Sequence, residues 1–369
     1  MPESHVRRRE SLRASLREQE LSGLLVTDLL NLRYLTGFTG SNGALLVHAE
    51  DTPNSEDRTL FGTDGRYLTQ SADQVPELER IIERPTAEAL CARAAREPAS
   101  YRRLGFESQQ VTVDGLDALN AAADAVPLVR APGLVEQRRM VKDEGEIEAL
   151  RMACAAADRA LADLLEHGGL RPGRTEREVA RELEDRMLDH GAAGRSFETI
   201  VAAGPNSAIP HHRPSDAVLA EGDFVKMDFG ALVDGYHSDM TRTLILGDPA
   251  EWQREIYELV HAAQAAGRAA ARPGAEVRAV DRAARAVIED AGYGEQFLHG
   301  LGHGVGLAVH EAPMLGGNGA GTLFAGMAVT VEPGVYLTGR GGVRIEDTLV
   351  VRDDSPEILT LSTKQLTVA

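Results

Sequence analysis

The chain has 369 residues, 43% hydrophobic and 26% charged, with a formal net charge of −18. Its length suits about two domains, and its charge argues against nucleic acid or an anionic membrane as partner, because a phosphate surface needs a basic face. Cys91 and Cys154 are the only cysteines, which argues against a disulfide framework or a thiolate metal site and fits a reducing compartment. No run approaches the roughly 18 apolar residues of a membrane span, and the charged N-terminus lacks an apolar signal core. A soluble, cytoplasmic protein is the expectation.

The first third reads as a small α/β domain. A charged helix over about 7–19 leads to an apolar strand at 23–26. A glycine-rich turn over 36–43 and a strand at 44–47 follow. Residues 50–58 are polar and contain proline, which suits a loop. A strand at 59–61 ends in a turn where Asp64, Arg66 and Tyr67 suggest a surface ion pair. Helical stretches over 87–96 and 114–125 alternate with the strands, as in an α/β sheet. The segment 129–133 reads as a boundary, giving an N-terminal domain over 1–132 and a second over 133–369.

The second domain opens with a long helix from about 143 to 167. Ile147, Leu150, Ala153, Cys154, Ala157, Leu161 and Leu164 recur at three- and four-residue spacing. Gly168-Gly169 ends it. Thr175 and Glu178 make a capping box for the next helix, which closes at Gly191. A short strand at 197–201 precedes a hairpin over 222–246, turning at Val233-Asp234-Gly235. Helices over about 251–271 and 276–291 lead through a glycine-rich loop to a second hairpin over 326–350. Helix, helix, hairpin, twice over, describes a pseudo-symmetric domain.

The two hairpins echo one another. An acid sits six residues after each opening glycine, Asp228 after Gly222 and Glu332 after Gly326. A second acid follows in each and is itself followed two residues later by threonine: Asp239 with Thr241, Glu346 with Thr348. Carboxylates inside apolar strands cost several kcal/mol each or are forced neutral unless something cationic sits among them. His303, in the loop His299-Gly300-Leu301-Gly302-His303-Gly304, lies between the hairpins in sequence. Four carboxylates and one imidazole make a ligand set for two divalent ions, manganese first, with cobalt, iron or zinc also compatible. Their charges balance. Two such ions about 3.5–4 Å apart would turn a bridging water into a hydroxide nucleophile near neutral pH.

At these residues the chain resembles the pita-bread metallopeptidases, in their proline-specific branch of aminopeptidase P and prolidase (Xaa-Pro dipeptidase). The resemblance spans nearly the whole length. It implies a small N-terminal α/β domain that helps close the site across a homodimer, and a C-terminal pseudo-twofold catalytic domain. It implies that Asp228, Asp239, His303, Glu332 and Glu346 bind metal, with Asp239 and Glu346 bridging. His211, His310 and His299 match substrate-facing or active-site histidines, Arg344 the arginine beside the bridging glutamate, and Tyr336 an active-site tyrosine. Glu332 is also the implied proton shuttle. His212 and His237 read as bystanders. The implied activity is hydrolysis of an Xaa-Pro bond in dipeptides or at the N-terminus of longer peptides. Competing readings are a catalytically silent binding module of the same fold, a methionine aminopeptidase-like activity, and a metal-free creatinase-like hydrolase. Intact acids argue against the first and last. Asp228-Phe229-Gly230 spells a kinase motif, but no HRD or VAIK element accompanies it, and no HExxH follows His310.

Overall fold

The computed structural model describes residues 2–50 and 55–369. The backbone separates into two compact units that meet in sequence between Arg139 and Met140. In the first, six strands form one mixed sheet in the order Glu79–Ile82, Leu60–Thr63, Gly43–His48, Gly23–Val26, Leu104–Phe106, Leu128–Arg130. The central pair, Gly23–Val26 with Gly43–His48, is antiparallel, and both strands are almost wholly buried. A strand buried on both faces needs a continuous apolar run rather than alternation, and GLLV and ALLV supply it. Leu25, Leu46, Leu90, Leu104 and Leu119 fill one core.

Local chemistry sets the ends of these elements. Asp28 accepts from the backbone N–H of Leu30 and Asn31 to start the helix Leu29–Thr36, and Gly37 ends it at φ +78°. Asp64 caps a short 3₁₀ turn at Gly65–Tyr67. Its ion pair is not confined to the surface: Asp64 is buried and takes both Arg66 at 2.9 Å and Arg84 at 2.8 Å. Of the loop expected over 50–58, residues 51–54 lie outside the described ones, and Ser55–Arg58 form a 3₁₀ turn. Residues 133–139 pack with the first unit rather than the second. The short helix Glu136–Arg139 is tied back by the Arg139 guanidinium, which donates to Asn31 Oδ1 at 2.9 Å.

The second unit runs helix, helix, sheet, then repeats the order. Helices Glu144–Glu166 and Glu176–Asp189 each open on a capping box, Asp143 with Glu146 and Thr175 with Glu178. They pack with the strands Ile200–Ala203, Phe224–Phe229 and Met240–Ile245 around Leu161, Leu183, Met227 and Leu244. Helices Glu251–Ala270 and Val277–Asp290 pack in the same manner on the strands from Ala328 to Val350, around Val260, Ile288, Val329 and Leu349. No helix among the described residues is long and apolar enough to cross a membrane.

Both hairpins are broken in the middle, which the sequence did not announce. In the first, Leu232–Val233 pair with Tyr236–His237 around Asp234 and Gly235, both at positive φ, as a tight two-residue turn requires. The inner ladder, Phe224–Phe229 with Met240–Ile245, is separate. In the second, Gly334–Leu337 pair with Gly341–Arg344, and Ala328–Val331 with Asp347–Val350. Only Asp228 lies within a strand. Asp239, Glu332 and Glu346 sit at the breaks, contrary to the expectation of an acid inside each arm. At a break the chain leaves the strict two-residue alternation, so successive side chains need not point to opposite faces. The hairpins are then stitched to each other: Glu346 N–H donates to Thr241 O (3.1 Å) and Thr348 Oγ1 to Asp239 O (2.8 Å).

The first break depends on Gly230, where a Cβ would come within 1.8 Å of the Ser238 carbonyl oxygen. Backbone cannot yield as a side chain can, so Gly230→Ala is expected to cost about 2–3 kcal/mol. Thermal melting should fall by roughly 5–10 °C, and an unchanged melt would show that the two arms are not held this close.

Candidate metal centre and active-site cavity

The breaks bring the predicted ligands together. One ligand atom each from Asp239, His303 and Glu346 lie within 4.8 Å of one another, and all three residues are buried. His303 Nε2 lies 3.5 Å from both Asp239 Oδ2 and Glu332 Oε1. The His303 ring has its Nδ1 at 3.0 Å from the Gly304 carbonyl. That contact puts the proton on Nδ1 and leaves the Nε2 lone pair for the acids' side, as a metal-ligating histidine requires. Asp228 joins through Arg344, whose Nη2 donates to Oδ2 at 2.5 Å. Asp228 Oδ1 is buried and has no hydrogen-bond partner among the described residues.

These groups do not sit easily beside one another as anions. Burial, then the neighbouring acids, push Asp239 and Glu346 well above the usual carboxylate range. Burial raises Glu332 to about 8 against the pull of Arg344. Burial also lowers His303 to about 4, so its imidazole is neutral and able to ligate. A buried oxygen without a partner, three carboxyls that resist ionisation and a neutral imidazole aimed at them fit divalent cations. Thr241 sets the orientation of Glu346: it accepts from Arg344 Nε (2.9 Å), which leaves its one proton for Glu346 Oε2 (2.6 Å).

The acids form part of the wall of an open cavity of about 1130 Å³. His211, His299, His310 and Arg344 also line it. His310 packs edge-on to His303 with ring centroids 4.3 Å apart. Neither His211 nor His310 makes a hydrogen bond among the described residues, so each keeps its ring nitrogens for a ligand. His299 is different. Arg344 Nη1 donates to Tyr336 Oη (2.8 Å), Tyr336 donates its proton to His299 Nε2 (2.8 Å), and His299 Nδ1 faces the Gly300 carbonyl (2.8 Å). Both His299 nitrogens are spent. Tyr336 is 3% exposed and stands behind the cavity wall, not in it.

The ambiguity between neighbouring histidines is resolved by their partners. His212 Nε2 bonds the buried Glu176 at 2.8 Å, and His237 Nδ1 bonds Ser196. Two features escaped the sequence reading: Thr199 in the cavity wall, whose buried hydroxyl has no partner among the described residues, and Lys226, which is fully buried and does not line the cavity. Neither belongs to a motif or a periodic face that would have marked it.

The raised carboxyls give a pH signature. A carboxyl whose folded pKa lies above its unfolded value binds extra protons in the native state, so the stability it contributes is present at low pH and lost as pH rises. For Glu332 that window runs from about 4.5 to about 8. Chelator-treated protein should therefore melt progressively lower across this range. Added Mn²⁺ should restore the melt more strongly toward pH 8 and release protons, measurable by calorimetry in buffers of different ionisation enthalpy. A melt equally insensitive to pH and to Mn²⁺ would contradict this description of the acids.

Two family models cover the chain. "Metallopeptidase family M24" matches residues 148–353 and "Creatinase/Prolidase N-terminal domain" residues 8–141. The crystal structure of an Xaa-Pro dipeptidase from Bacillus anthracis is similar at a TM-score of 0.92 and 39% identity, over 99% of this chain and 100% of that one. An X-Pro aminopeptidase from Thermotoga maritima is similar at a TM-score of 0.87 and 32% identity, over 98% and 99%. The Xaa-Pro dipeptidase of Pyrococcus furiosus is 32% identical across 97% of this chain and 99% of its own. The family implies divalent metal ions, which agrees with the donor set of Asp239, His303 and Glu346. The chain belongs to metallopeptidase family M24, with a creatinase-like N-terminal domain ahead of a pita-bread domain.

Proposed function

We propose that the protein is a two-metal exopeptidase that hydrolyses the Xaa-Pro bond, in dipeptides or at the N-terminus of longer peptides. The observation that carries this reading is the convergence of five ligand-type side chains on a cavity wall beside His211 and His310, whose ring nitrogens are unspent. Asp228, Asp239, His303, Glu332 and Glu346 would hold the ions, and Mn²⁺ is the best match to an oxygen-rich set with one nitrogen. Bound there, the ions supply Lewis acidity and make water a stronger acid and nucleophile.

The chain's own groups account for the rest. An Xaa-Pro bond is a tertiary amide without an N–H, so its nitrogen must be protonated before it can leave. Glu332 is the group suited to move that proton. Burial favours its neutral form, and its side chain remains 17% exposed toward the cavity. Water attacks the carbonyl carbon, neutral Glu332 gives its proton to the proline nitrogen and regains one from the attacking water, and the C–N bond breaks to give the released residue and proline, free or at the new N-terminus. His211 and His310 donate to the carbonyl oxygen as charge gathers there, or hold the leaving residue. Tyr336 acts from behind the wall by holding Arg344, and His299, at the wall, holds Tyr336. The relatives named for Xaa-Pro dipeptides and for X-Pro peptides support the substrate class and leave both lengths within the proposal.

Release of alanine from Ala-Pro and Ala-Pro-Ala by Mn²⁺-loaded protein tests this directly. Asp239→Asn should abolish turnover of both and weaken Mn²⁺ binding. His310→Ala should lower kcat by about 10²–10³-fold while Mn²⁺ binding persists. Cleavage of neither peptide by loaded wild type, or full activity of Asp239→Asn in chelator, would refute the proposal.

A further inference from the structure

Lys226 is a group that this scheme leaves unused. It lies two residues before Asp228 in the strand Phe224–Phe229 and is fully buried. Among the described residues it makes no ion pair; its polar contacts are backbone carbonyls. Taking an amine out of water costs free energy whether it is charged or neutral, and a methionine of similar length would fill the space without that cost. Nζ donates to Ile209 O at 2.6 Å and Pro210 O at 3.3 Å, and stands 5.1 Å from the centre of the Tyr336 ring.

Those carbonyls immediately precede His211. The segment around them is pinned on both sides. Upstream, Gly342 N–H donates to Ser207 Oγ at 2.9 Å, a close approach that needs glycine, since a Cβ there would come within 2.7 Å of Ser207 O. Arg344 Nη1 reaches the Pro210 carbonyl at 3.3 Å. Downstream, the buried Glu176 accepts from His212 Nε2 (2.8 Å), Ser215 N–H (3.0 Å) and Ser215 Oγ (2.8 Å). Ile209 N–H donates to Asn206 O at 2.9 Å and Pro210 has no N–H to offer, so the carbonyls of Ile209 and Pro210 are the remaining handles by which the backbone before His211 can be held. His211 lies between the two anchor points, and its side chain makes no hydrogen bond among the described residues to steady it.

We propose that Lys226 is a positioning residue: by holding the Ile209 and Pro210 carbonyls it fixes the backbone from which His211 reaches into the cavity. The inference rests on the reading of His211 as substrate-facing. Lys226→Met removes the donors in nearly the same volume. Its kcat on Ala-Pro and Ala-Pro-Ala should fall about 10- to 100-fold, the loss expected from misplacing a catalytic group by about an ångström, with KM within about threefold. Mn²⁺ affinity and melting temperature should hold, and Lys226→Arg should recover part of kcat. Adding Lys226→Met to His211→Ala should cost little beyond His211→Ala alone, because both remove the same contribution. A crystal structure of Lys226→Met should show residues 209–211 displaced. Unchanged kcat, multiplicative losses in the double variant, or failure to fold by both Lys226→Met and Lys226→Gln would overturn the proposal, the last by making Lys226 a purely structural residue. Wild-type protein that cleaves neither peptide would defeat the exopeptidase reading instead, and the position of 209–211 in the variant crystal structure would still decide the role of Lys226.

Discussion

The structure of the second unit depends on the repulsion among buried carboxyls. Asp239, Glu332 and Glu346, with Asp228 beside them, occupy a volume in which burial and mutual charge both disfavour ionisation. Such a cluster persists only where the fold over-determines it and where cations are expected to settle the charge. Arg344 supplies one positive charge, held on Asp228 and kept charged, despite its burial, by Tyr336 and the surrounding acids. One guanidinium does not balance four acids, and Asp228 Oδ1 is left without a partner among the described residues.

The backbone is shaped to that demand. Each hairpin gives up ladder continuity at its middle, and the acids sit at or beside the gaps. What holds the broken arms is a set of cross-links between the halves: Thr241 to Glu346, Thr348 to the Asp239 carbonyl, and Thr243 to the Arg344 carbonyl. Beneath them Arg242 donates to the carbonyls of Thr241 and Glu346 and pairs with the buried Asp347 at 2.9 Å. The threonines two residues beyond each second acid are thus reciprocal. The one from the first hairpin steadies the acid of the second, and the one from the second holds the backbone of the first.

Much of this was legible in the sequence because it is carried by spacing. The capping box at Thr175, the long amphipathic helix starting near Asp143 and the echo between 222–246 and 326–350 all survive as read. What spacing cannot convey is which of two adjacent side chains finds a partner. His211 and His212 are indistinguishable along the chain; Glu176, more than thirty residues earlier, takes His212 and leaves His211 to the cavity. Tyr336 looked like a group facing substrate, and its bonds to Arg344 and His299 hold it behind the wall, while His299 lines the cavity with both ring nitrogens engaged. The strand breaks were hidden because apolar residues continue through them, and Lys226 was hidden because its partners are backbone carbonyls, which leave no mark in sequence. The end of the first unit was misjudged for a similar reason: the contact of Arg139 with Asn31 spans more than a hundred residues.

The central claim is that the acids are arranged for a pair of divalent ions rather than for shared protons. Crystals soaked in Mn²⁺ and measured at the manganese absorption edge test it most directly. Two anomalous peaks are expected, one toward Asp228 and one toward His303 and Glu332. Absence of anomalous density at these residues, with Arg344 still on Asp228 and the remaining carboxyls hydrogen-bonded to one another, would contradict it.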